Sequence, residues 1–288
     1  MNFNQPVTEL IQRRFSCRTY QPLILELDAR IKLQDFLATP QTGPLGTVSR
    51  FALVAATEAD RRAIKGLGTY GFIKNAPAFI IGATVEIGKS LEDFGYLMEM
   101  IILLATDLGL GTCWLGGSFT RSRFAQKISL RNGENIPAVV SLGQIAEVPS
   151  KIDALIRSQA RGDHRRPWDW MFFAEAFRQP LSETEAAEFA LPLNMVRLGP
   201  SASNLQPWRI IKNGTAWHFF LRRKPGYRDS RASRFLRTSD LQRVDMGIAM
   251  CHFELTAQQL GLPGHWENLE PQIEMPDSFT EYTISWVI

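Results

Sequence analysis

The stretch DFGYLMEMIILLATDLGLGTCW, residues 93–114, returns as DMGIAMCHFELTAQQLGLPGHW at residues 245–266. The offset is constant, since 245 − 93, 261 − 109 and 266 − 114 all equal 152, and nine of the 22 positions are identical. Chance at ordinary residue frequencies gives about one or two identities. Asp93/Asp245, Gly95/Gly247, Gly109/Gly261 and Trp114/Trp266 are among the matched pairs. Each copy has apolar residues at helical spacing, a glycine where a left-handed cap belongs, and then an extended segment. Each therefore reads as a helix followed by a strand.

Solenoid repeats recur every few tens of residues, so a single copy at this distance implies instead a domain fused to a relative of itself. Looser matches flank the repeat. YQPL at 20–23 resembles RQPL at 178–181, and GPLGTVSRFALV at 43–54 stands where GPSASNLQPWRII stands at 199–211. Two halves are expected, residues 1–160 and 161–288. Strands are expected at 50–56, 78–84, 138–143, 209–212, 216–222 and 281–287. Helices are expected at 7–13, 26–38, 93–108, 121–127, 183–194 and 242–260. The class is mixed α and β, with sheet layered by helices.

Bulk properties narrow the function. The chain has 288 residues, 45% hydrophobic and 21% charged, with a formal charge of +3. That is ordinary globular composition, with no footprint for a polynucleotide, although a small anionic ligand suits the local basic clusters. The longest apolar run, 97–105, is broken by Glu99 and is too short to span a bilayer. The three cysteines, Cys17, Cys113 and Cys251, lack framework or ligand spacing and read as free thiols of a cytosolic protein. His164, His218, His252 and His265 are scattered, so no metal is expected, and His252 on the repeated helix reads as a packing residue.

The halves differ in complementary places. The first carries RRFSCR at 13–18, with Arg14, Ser16 and Arg18 at alternate positions, where the second has FFAEAF. The second carries PSASNLQPW at 200–208, where the first has no matching Asn, Gln or Trp. Two sites across a symmetric interface, each joining the arginines of one copy to the polar loop of the other, would leave by these losses one complete site and one eroded site.

With RRFSCR, PSASNLQPW and GLGTCWLGG (109–117) in this order, the chain resembles the flavin-dependent nitroreductases, specifically single-chain members in which two subunit-like halves are fused. The resemblance covers essentially the whole chain. It implies an α+β, three-layer, internally duplicated fold, a mixed sheet flanked by helices, and an FMN site between the halves. It further implies reduction of nitroaromatics, quinones or similar electron-poor acceptors by NADH or NADPH in ping-pong fashion, the hydride passing through flavin N5. No catalytic side chain is implied. A single chain would contain both partners of the usual dimer and act as a monomer, with a small-molecule acceptor and with neither nucleic acid nor membrane as partner.

The residues bear this out chemically. In an extended segment Arg14, Ser16 and Arg18 share a side and can present two guanidinium forks and a hydroxyl to a phosphate, although a solvated basic patch has the same composition. By resemblance, Arg14 and Ser16 hold the FMN phosphate and Arg18 reaches the ribityl chain or the N1 edge. Arg165 and Arg166 of HRRPW (164–168) either close on that phosphate or belong to a basic linker. Pro200, Ser201, Ser203 and Asn204 form a ligand loop or a helix-capping turn, and the buried amide and indole of Gln206 and Trp208 need partners. Leu115, Gly116 and Gly117 let backbone approach the flavin ring. Tyr70, Gly71 and Lys74 border its pyrimidine edge or form an exposed turn. A protein that stores or senses FMN would carry the same motifs. A Rossmann dehydrogenase is a third, disfavoured reading, because no G-x-G-x-x-G follows an early strand.

Overall fold

The computed structural model describes residues 3–56, 71–117, 119–148, 153, 164–226 and 239–288. The expected boundary between the halves, at 160/161, lies outside these, as does Tyr70.

The first half runs α1 (Val7–Arg13), α2 (Leu27–Leu37), β1 (Gln41–Thr42), β2 (Val48–Ala55), β3 (Ala78–Val85), α3 (Ser90–Asp107), β4 (Gly111–Leu115), α4 (Arg121–Lys127), β5 (Glu134–Asn135) and β6 (Val139–Gly143). The second runs β7 (Phe172–Ala174), α5 (Glu183–Ala186), α6 (Ala190–Leu198), β8 (Trp208–Asn213), β9 (Ala216–Arg222), α7 (Leu241–Gln259), β10 (His265–Glu267) and β11 (Thr280–Val287).

Duplication is visible in the topology. One sheet has the order β1-β2-β3-β6-β4, the other β7-β8-β9-β11-β10. The four strands following the first in each order pair antiparallel throughout, β2-β3-β6-β4 matching β8-β9-β11-β10. The halves differ at the first strand, because β1 is antiparallel to β2 whereas β7 is parallel to β8.

The long helices of the repeat, α3 and α7, pack against each other between the two sheets, giving sheet, helices and sheet in three layers of one α+β fold. Helix α3 is buried on nearly every side, its carboxylates Glu92, Asp93 and Glu99 included, each of which is hydrogen-bonded. Phe94 of α3 meets Phe51 of β2 at 5.7 Å, and Phe253 of α7 meets Phe219 of β9 at 5.3 Å. The outer face of the first sheet has a separate core, where Phe79 packs on Phe124 of α4 at 5.4 Å.

The crossing of α3 and α7 is isologous. A Cβ built on Gly95 would collide with the Val244 carbonyl oxygen, and one on Gly247 with the Glu92 carbonyl oxygen. Since 247 − 95 and 244 − 92 both equal 152, these are one contact repeated across a pseudo-twofold axis. Arg243 of α7 reinforces the crossing, its Nε and Nη2 donating to Glu92 at 2.8 and 2.6 Å.

One expected element is redrawn. The helix expected at 183–194 breaks at Ala187 (φ 51°) into α5, a 3₁₀ turn (Ala187–Phe189) and α6, which continues to Leu198. The break puts Pro192 in the first turn of α6, where its missing N–H costs nothing, whereas an unbroken helix would hold it in the interior. Among the described residues no helix is long and apolar enough to cross a membrane, and no cluster of three potential metal ligands occurs. All three cysteines are free and buried.

Candidate functional site

Helix α1 ends at Arg13, and Arg14 turns into extended backbone (φ −62°, ψ 130°). The chain then runs beside the edge strand β4, with Ser16 bridged parallel to Thr112 and the Cys17 N–H donating to the Thr112 carbonyl at 2.8 Å. Farther on, Thr19 bridges Lys74, whose N–H donates to the Arg18 carbonyl at 2.8 Å. Period-two alternation holds over residues 16–19: Cys17 and Thr19 are buried, while Ser16 and Arg18 are half-buried. RRFSCR and TCWLGG thus lie side by side, and Lys74 adjoins them. Gly71 is exposed with φ 77°.

Arg14 reaches inward. Its side chain is only 5% exposed, and its Nε lies 3.7 Å from Glu99 Oε1 on α3. Nε has no hydrogen-bond partner, and no partner is found for the terminal guanidinium nitrogens among the described residues. Arg18 pairs with Asp153 at 3.4 Å. Glu99 is fully buried and accepts from Trp114 Nε1 at 2.7 Å, with His252 Nε2 of α7 at 3.1 Å. Burial alone would raise its pKa, but the His252 hydrogen bond, the charges of Arg14 and His252 and the Trp114 N–H hold it below the usual value. The Cys113 thiol is pushed up by burial despite Arg18 and Arg14, so it stays protonated.

In the second half, α6 delivers Gly199 and Pro200 to a loop under backbone strain. Ser203 (φ 53°), Asn204 (φ 52°) and Gln206 (φ 50°) are all left-handed without being glycine. Such residues cost about 1 kcal/mol each and concentrate at functional sites. Several contacts fix them. The Ala202 N–H donates to Asp245 Oδ1 at 2.9 Å and the Gln206 N–H to Ser201 Oγ at 2.9 Å. Gln206 Oε1 accepts from the Arg166 N–H at 2.9 Å, while its Nε2 donates to Asn204 Oδ1 at 3.1 Å and to the His164 carbonyl at 3.3 Å. Asn204 Nδ2 donates to the same carbonyl at 3.1 Å. Arg165 Nη2 donates to the Leu198 carbonyl at 3.2 Å.

HRRPW is therefore laid along the PSASN loop. The Arg166 guanidinium lies 4.0 Å from the centre of the Trp170 ring and that of Arg209 3.3 Å from it. Burial, with Arg222 and Arg166 nearby, pushes the Arg209 pKa down to about 9. The expected need of Gln206 for partners is met. The Trp208 indole N–H, by contrast, is buried with none.

The aligned loops share one tether. Asp93 accepts from the N–H groups of Leu45 and Thr47, both at 2.8 Å, as Asp245 does from Ala202. Burial raises the pKa of both carboxyls.

Among the described residues no hydrogen bond or ion pair runs directly from Arg14, Ser16 or Arg18 to Pro200, Ser201, Ser203 or Asn204. The connection passes from Arg14 to Glu99, to His252 and then to the Met195 carbonyl of α6, 2.9 Å from His252 Nδ1. Beyond Leu115, the turn at Gly116 and Gly117 also abuts the second half, since a Cβ on Gly116 would collide with Leu241 at the start of α7. Sequence reasoning missed Asp153 and Arg209. It treated Glu99 as an interruption of an apolar run, which was the available signal, and His252 as packing only.

No curated protein matches this chain. A solved structure described as a "putative nitroreductase" of Thermotoga maritima is similar, with TM-score 0.60 and 18% identity, covering 100% of this chain and 95% of its own. A nitroreductase family protein of Clostridium novyi matches with TM-score 0.40 and 21% identity, over 54% of this chain and 91% of its own. A nitroreductase of Desulfitobacterium hafniense, solved with bound FMN, matches with TM-score 0.39 and 18% identity over 50% of this chain and 92% of its own. The model of the family described as "Putative TM nitroreductase" matches residues 6–257. Matched over most of its length, the chain belongs to that nitroreductase family.

Proposed function

We propose that the chain is an FMN-dependent NAD(P)H oxidoreductase that reduces nitroaromatic, quinone or similar electron-poor acceptors. One FMN lies between a first half, residues 1–160, and a second, residues 161–288. The observation that carries this reading is Arg14, a nearly buried guanidinium whose terminal nitrogens have no partner among the described residues, set two positions from Ser16 in an extended segment. Burying a cation without a hydrogen-bonded anion is costly, and a phosphate supplies both charge and acceptors.

The other residues fit the same ligand. Arg14 and Ser16, with Arg165 and Arg166 from the far side, would hold the phosphate. Arg18, shared with Asp153, would face the ribityl chain or the N1 edge. Leu115, Gly116 and Gly117 would lie along one border of the ring, and Pro200, Ser201, Ser203 and Asn204 along another. Gly117 presents no side chain to obstruct a planar ligand, whereas the space beside Gly116 is taken by Leu241, and the strained loop is held in advance of binding. Bound FMN supplies the hydride-accepting centre; the protein binds, orients and shields, and no side chain acts as acid or base. The three free thiols suit a reducing cytosol. The axis between α3 and α7 is internal, so a single chain suffices.

Purified protein is expected to be yellow with one FMN per chain, to bleach with NADH or NADPH under anaerobic conditions, and to recolour with a quinone. Bound FMN that neither nicotinamide bleaches would make the protein a flavin store or sensor. A chain that takes up no FMN would end the reading.

A further inference from the structure

Both ring nitrogens of His252 face acceptors. Nδ1 lies 2.9 Å from the Met195 carbonyl oxygen and Nε2 lies 3.1 Å from Glu99 Oε1, with neither side chain exposed. A carbonyl cannot donate, so Nδ1 bears a hydrogen; an ionised carboxylate cannot donate either, so Nε2 bears another. Glu99 is held in its ionised form by the neighbours described above. A neutral imidazole in either tautomer would set a bare lone pair against an acceptor at a site no water reaches.

We infer that His252 holds two protons and, as an imidazolium supplied by the second half, neutralises Glu99, so that the charge of Arg14 remains available to an anionic ligand. This rests on the reading of Arg14 as a phosphate contact. Two cations around one carboxylate leave one net positive charge at the inner end of the RRFSCR segment. Without the histidine's proton, Glu99 would cancel Arg14 instead.

The eroded half provides a comparison within the same molecule. Trp266, the repeat of Trp114, donates to Glu254 at 2.7 Å, much as Trp114 donates to Glu99. Glu254 has no cationic partner among the described residues, and burial raises its pKa. Only the carboxylate beside the arginine segment has the histidine as well.

Among the described residues no other cationic group reaches Glu99, and Tyr96 of α3, beside Cys251 and Glu254, is a neutral phenol with its pKa raised by burial. From α3 Glu99 faces His252, and Arg14 faces the same carboxylate. From α6 the Met195 carbonyl is in reach, and α1 contributes the apolar Val7, Leu10 and Ile11. From β8 and β9 the core residues are Trp208, Ile210, Trp217, Phe219 and Leu221. On α7 itself Cys251 is a neutral thiol, its pKa raised by burial, and Glu254 is occupied by Trp266.

His252 is thus a positioning residue, and its test is FMN affinity by fluorescence quenching at neutral pH. His252→Gln should weaken FMN binding about 10- to 100-fold at neutral pH, the worth of a charge-assisted hydrogen bond. Adding Glu99→Gln to that variant should restore affinity to within about threefold of the unsubstituted chain, because the carboxylate that cancels Arg14 is gone.

Unchanged affinity in His252→Gln, or a double variant as weak as the single one, would overturn the inference, since a purely structural histidine predicts no rescue. Nitrogen-15 NMR of the ligand-free chain decides it independently: two protonated ring nitrogens at neutral pH support it, and one bare nitrogen overturns it. If the unsubstituted chain takes up no FMN, the functional reading fails while the protonation of His252 is still decided by that spectrum.

Discussion

At the scale of single residues, the loop that follows Pro200 shows how local strain and ligand chemistry can be separated. Ser203 sits at φ 53° and ψ 25°, a conformation that costs a serine about 1 kcal/mol and a glycine almost nothing. Glycine loses more entropy on folding by a similar amount, so Ser203→Gly should leave unfolding stability within about 0.5 kcal/mol of the original. FMN affinity should fall several-fold if the hydroxyl meets the ligand, and urea titration beside flavin fluorescence reads both. Asp245 makes a second case. Its carboxyl is buried and its pKa lies well above the ordinary value, so the folded chain binds a proton more tightly than the unfolded chain. Stability should therefore fall as pH rises from the ordinary carboxylate value towards the raised one. Asp245→Asn, which keeps an acceptor for the Ala202 N–H, should flatten that dependence in urea unfolding measured at several pH values.

At the scale of elements, the helix pair carries the greatest constraint. Gly247→Ala would place a methyl group against the Glu92 carbonyl, a backbone atom that cannot move aside without shifting α3. A loss of roughly 3 kcal/mol or more is expected in chemical unfolding, the scale of an overpacked core. Gly95→Ala should cost a similar amount, because it meets the equivalent carbonyl of Val244. Unequal losses would show that the two contacts are not equivalent. The spans of these helices were legible because 3.6-residue periodicity and terminal glycines are local signals: α4 and β9 occur as expected, and α3 and α7 differ by a few residues. The break at Ala187 was not legible, since the pattern of apolar residues continues across it and only Pro192 hinted at a restart.

At the scale of the whole molecule, the repeated strand order and the paired glycines describe an internally duplicated chain. Light scattering should return the mass of a single chain with or without FMN. A two-chain species would mean that a further surface, outside the pseudo-twofold axis, is also used.

The sequence by itself determined that the chain is duplicated, which segments are helix and strand, and that the arginine segment and the asparagine loop survive in opposite halves. These follow from identity at a fixed offset, from periodicity and from turn chemistry, all readable along the chain. Only the tertiary structure decided that Glu99 and His252, 153 positions apart, meet in the interior and join Arg14 to α6. It likewise decided that HRRPW lies along the loop and that β7 pairs parallel with β8. Contacts between distant residues are set by how the helices pack against the sheets, and no local pattern encodes the partner of a buried polar group.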